Sequence, residues 1–101
     1  MDPYEYHELH DRWDALMVRM LRLFSKFNIR ITEDSCNIND RAEIVKLLYH
    51  HAWVETNLKK NEPMRDNLYQ NDRVRLDDME RDVIGHEEEA APLITNVSPY
   101  F

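Results

Sequence analysis

One glycine, Gly85, must serve a chain of 101 residues. Phosphate-cradling loops and dinucleotide turns need several glycines, because backbone amides must approach the anion closely and often at positive φ. No such loop can be built here. Two-residue hairpin turns also favour Gly or Asn-Gly, so a meander of short strands is disfavoured. With only four prolines and many Leu, Met, Glu and Arg, the composition favours helices. The expected fold class is all-α.

The length fits one domain, at about 100–150 residues each. The charged share is 33%, against about 25% in an average soluble chain, so much of the surface must be charged. The net charge of −7 is unevenly placed: residues 1–60 hold ten acids against nine bases, residues 61–101 ten against four. A nearly neutral body followed by an acidic arm is the first functional hint. The single cysteine, Cys36, allows no intramolecular disulfide, and nearby Asp34 opposes a reactive thiolate. The acidic start resembles no secretory leader, and no apolar run approaches the ~20 residues of a membrane span. The expected location is cytoplasmic (of the host cell, if the protein is viral), without secretion or a transmembrane segment.

Asp2 and Glu5 form a capping box around Pro3, which suits the first helical position. Leu9, Trp13, Leu16, Met20, Leu23 and Phe27 then recur at four- and three-residue spacing, predicting a helix over about 3–27. Met17, Leu21 and Phe24 form a second stripe beside the first, so the apolar arc is wider than one neighbouring helix covers. A second capping box, Asp40 and Glu43, opens a helix over about 41–60. Its inner face is read as centred on Val45, Leu48 and Ala52. Together the two make an antiparallel helical hairpin. A weaker third helix is expected over about 64–84, breaking near Asn71, lying on the surface and capped by Gly85. Pro92 and Pro99 predict an extended tail over 90–101. The expected organisation is a hairpin core (1–60), an acidic helical arm (61–89) and an apolar, aromatic docking tail (90–101).

His7 and His10, with Asp14 further along, are the candidate metal ligands, because imidazoles three apart with a nearby carboxylate can hold a transition ion. They better suit a capped and solvated helix start, and no metal or other cofactor is expected. Adjacent His50 and His51 point about 100° apart. His51 is read toward the inner face, near Leu47 and Glu55. With no nucleophile or oxyanion-holding turn beside either ring, catalysis is not expected. Arg12, Arg19, Arg22, Lys26 and Arg30 make a basic ridge that could contact an anion, or could flank a buried seam and pair with acids of the arm. Membrane and nucleic-acid partners are both disfavoured, since interleaved acids weaken long-range attraction to polyanions.

The surfaces suited to a protein partner are the wide face of the first helix (Trp13, Met17, Met20, Leu21, Phe24, Phe27) and the tail (Leu93, Ile94, Val97, Tyr100, Phe101). The leading expectation is a non-enzymatic structural or interaction protein that self-associates or joins a larger protein assembly, its tail docking on a neighbour. The alternatives are a small acidic inhibitor of a host protein, of the viral or phage kind, and a nucleic-acid-binding regulator using the basic ridge.

Overall fold

The computed structural model describes residues 3–33, 41–68 and 72–94. Among them every regular element is helical: α1 (Pro3–Glu33), α2 (Arg41–Asn61), a one-turn 3-10 helix (Glu62–Asp66) and α3 (Asp72–Ile94). The all-α hairpin of α1 and α2 is present as expected. The first helix, however, runs on to Glu33 where it was expected to end near residue 27, since Arg30 and Ile31 continue its packing against the core. α1 is the hub of the bundle and packs against both other helices, whereas α2 and α3 meet over a shorter stretch. At about 1.5 Å per residue, the 31 residues of α1 set the length of a rod measuring 53 × 23 × 18 Å.

Each helix buries residues four and three apart. In α1 these are Leu9, Trp13, Leu16, Met20, Leu23, Phe27 and, at the far end, Arg30. In α3 the row is Asp72, Leu76, Met79, Val83, His86, Ala90 and Leu93, with Leu76, Val83 and Ala90 fully buried. An average repeat of 3.5 residues is the spacing that keeps a seam facing its neighbours in a left-handed bundle.

α3 departs from expectation in position and role. It begins at Asp72 and runs to Ile94, so residues 90–94 are helical where an extended tail was expected. Gly85 is an interior residue with no positive φ, and not a cap. The row His86–Ala90–Leu93 continues the heptad beyond it, so burial gained in the last turns outweighs one glycine and a proline placed near the end of the helix. The helix therefore packs into the core instead of lying on the surface.

α2 is also turned away from its expected orientation. Leu47, His50, Val54 and Asn61 are buried, while Val45 (63% exposed), Leu48 (50%) and Tyr49 (68%) face outward with Ala52. The sequence carries two rows of helical spacing, and the more apolar one faces solvent. Asn57 and Asn61 meet the polar demands of the inward row by donating to the carbonyl oxygens of Trp53 and Asn57, at 2.8 and 2.9 Å.

Ion pairs fix the direction of α3. Arg12 donates to Glu80 (3.2 Å) and to Asp77, and Arg19 to Glu87. Arg73 lies 3.9 Å from both Glu5 and Glu8. The pairs 5–73, 12–80 and 19–87 share one offset along the chain, which only parallel helices allow. The bundle therefore runs up, down and up.

Candidate functional site

Two features stand apart from core packing: a histidine cluster between α2 and α3, and the outward row of α2. His50 and His86 occupy seam positions of the two helices. Their Nδ1 atoms lie 3.2 Å apart, with the rings nearly perpendicular. One ring must donate and the other accept, so the contact requires at least one neutral imidazole. Phe27 stacks on His50 at 5.6 Å between centroids, and Trp53 on His86 at 3.5 Å. Aromatic faces thus clamp both rings. Burial, then the neighbouring His50, pushes the His86 pKa down, against an opposing pull from Glu89 and Asp82. Glu89 follows His86 by three residues, nearly one turn, and His50, His86 and Glu89 hold their ligand atoms within 4.8 Å of one another. A groove of about 350 Å³ opens here, lined by Trp53, Arg81, Asp82, Gly85, His86 and Glu89.

This is the one trio of potential metal ligands close enough to share an ion among the described residues, and it is not the trio expected. His7 and Asp14 are seven residues apart, about 10 Å along the helix, and they line different grooves. His10 packs edge-on against Tyr6 at 4.4 Å. His51, read as a core-edge residue near Glu55, does sit at the core's edge: its Nδ1 is 4.0 Å from Glu55 and its ring lies against Phe24. Lys59 holds the Glu55 carboxyl below its usual range. Cys36 lies outside the described residues.

The basic ridge is not a free patch. Arg12 and Arg19 are tied to α3, and Glu80, then Asp77, raise the Arg12 pKa further. Arg22 is exposed, Lys26 half-buried and Arg30 buried. The expected partner-binding face also divides. Trp13, Met20 and Phe27 are buried in the chain's own core, Met17 and Phe24 pack partly against it, and Leu21 is exposed beside Val18. Trp13, Met17, Val18, Leu21 and Leu58 edge a groove of about 580 Å³. Leu93 packs on the core and Ile94 ends α3. Val97, Tyr100 and Phe101 lie outside the described residues.

Val45, Leu48 and Ala52, expected at the centre of the inner face, instead form an outward row with Tyr49. At 100° per residue these four span about 100° of α2 and lie opposite Leu47, Val54 and Asn61. No helix among the described residues is long and apolar enough to cross a membrane. No protein-family model, curated protein or solved structure matches this chain.

Proposed function

We propose that this protein is a non-enzymatic interaction module that self-associates through the outward row of α2. One observation carries the reading: Val45, Leu48 and Tyr49, each at least half exposed, stand with Ala52 at the i, i+3, i+4, i+7 spacing of a helix-docking face. Isolated exposed apolar residues are ordinary, but a contiguous row on a helix whose inner face is partly polar is a binding surface.

Charge favours a second copy as the occupant. Around the row α2 carries Arg41, Lys46, Lys59 and Lys60 against Glu55, while α3 exposes Asp77, Asp78, Asp82, Glu88 and Glu89 against Arg73, Arg75 and Arg81. One chain therefore offers both halves of a complementary contact, and complementary fields steer and orient association. Residues 95–101 supply further apolar area to such a contact.

Sedimentation velocity across micromolar concentrations tests this. The expected result is a concentration-dependent dimer or higher species that weakens with salt. Leu48→Asp, at an exposed position, shifts it to monomer with far-UV circular dichroism unchanged. Deleting residues 95–101 measures the tail's share. A monomer at every concentration overturns self-association and leaves the same row to a foreign partner, as the inhibitor reading requires.

A further inference from the structure

We propose that His50, His86 and Glu89 form a binding site for a divalent transition-metal ion of the zinc type, which clips α2 to α3. The argument begins with the heptads. Two seam positions that would ordinarily hold apolar residues hold histidines instead, and burying a polar ring is costly unless it gains a partner. Both histidines lie between the two helices that pack least against each other.

The geometry matches a metal site. Zinc–nitrogen bonds run about 2.0–2.1 Å in a tetrahedral site, which places two ligand nitrogens roughly 3.3–3.4 Å apart. The Nδ1 atoms of His50 and His86 are 3.2 Å apart. The Glu89 carboxylate reaches the same space from one turn along α3, and the solvent groove beside it provides room for water at a fourth position. Two imidazoles and one carboxylate suit Zn²⁺, Co²⁺, Ni²⁺ or Cu²⁺ better than Ca²⁺ or Mg²⁺, which prefer all-oxygen shells. In the metal-free pair one Nδ1–H donates to the other Nδ1. Binding moves that proton to Nε2 of its own ring, so both Nδ1 lone pairs face the ion and both rings stay neutral. Phe27 and Trp53 hold the rings from their outer faces, so little reorientation is needed.

The full chain, stripped with chelator, is titrated with ZnCl₂ by isothermal calorimetry and with CoCl₂ by visible absorption. The expected result is one ion per chain, Co²⁺ bands of a four- or five-coordinate site, and a melting temperature that rises with Zn²⁺ concentration. Co²⁺ also quenches Trp53 fluorescence through the stacked His86 ring. His86→Asn and Glu89→Gln each weaken Zn²⁺ binding at least about tenfold, since losing even an outer-sphere support costs about that much. Glu89 is exposed, so its variant folds even where a histidine variant does not. The double variant His7→Ala/His10→Ala binds as the parent does. No binding up to about 1 mM Zn²⁺, a range far weaker than structural zinc sites reach, overturns the proposal. So does binding that survives both His86→Asn and Glu89→Gln.

Discussion

At the scale of single residues, Gly85 has an unexpected place. It is interior to α3, its φ is not positive, and a Cβ built there meets nothing within 4 Å. Such a glycine costs the helix roughly 0.5–1 kcal/mol relative to alanine, mainly through backbone freedom in the unfolded chain. Gly85→Ala is expected to stabilise the protein by that amount. A thermal melt reads this as a rise of roughly 2–8 °C for a domain of this size; a fall would mean that the α3 backbone is not helical at this position. The sequence marked Gly85 as a stop because glycine after an apolar row usually is one. The residues that outweigh it, His86 and Ala90, are too polar or too small for a hydrophobic row to register. The same limit hid His50. The two adjacent histidines differ by one step of rotation, and which one is buried depends on which row of α2 faces inward.

At the scale of elements, α1 was legible because apolar identity and burial coincide from Leu9 to Phe27. α2 was not, because periodicity finds apolar rows but cannot say which row faces the parent fold. Val45, Leu48 and Ala52 form the more apolar row, while the buried one includes His50 and Asn61. In α3 the register is written in charge. Glu5, Arg12 and Arg19 on α1 face Arg73, Glu80 and Glu87 on α3, so the sign reverses along the seam. A slip of one heptad would set Glu5 against Glu80, or Arg12 against Arg73. Such flanking charges contribute little stability when exposed, about 0.2–1 kcal/mol a pair, but they discriminate between registers. Arg12→Glu is expected to cost about 1 kcal/mol, and adding Glu80→Arg to recover roughly half, because Asp77 still opposes the new carboxylate. Urea melts in low and high salt measure the coupling, which should shrink as ionic strength rises. Equal losses for the single and double variants would mean that Arg12 does not act through Glu80.

At the scale of the whole molecule, α3 decides whether residues 1–60 can stand alone. A unit of about 60 residues buries only about 60% of its unfolded surface and is marginal by itself. In α1 the Leu9, Leu16 and Leu23 row lies toward the Arg12–Arg19 edge, the edge that meets α3, and the Trp13, Met20 and Phe27 row lies toward α2. Removing α3 would uncover the first row and take away Leu76, Val83 and Ala90, each almost fully buried. Burial at about 25 cal/mol per Å² makes that loss several kcal/mol, comparable to the entire stability of a small domain. A chain ending at residue 68 is therefore expected to show weak helicity by circular dichroism and a broad, non-cooperative melt. Adding a peptide of residues 72–94 should restore both, since the ion pairs and the heptad row specify where it docks. A sharp melt for residues 1–68 near that of the full chain would instead make the hairpin an independent unit, with α3 an attachment to it.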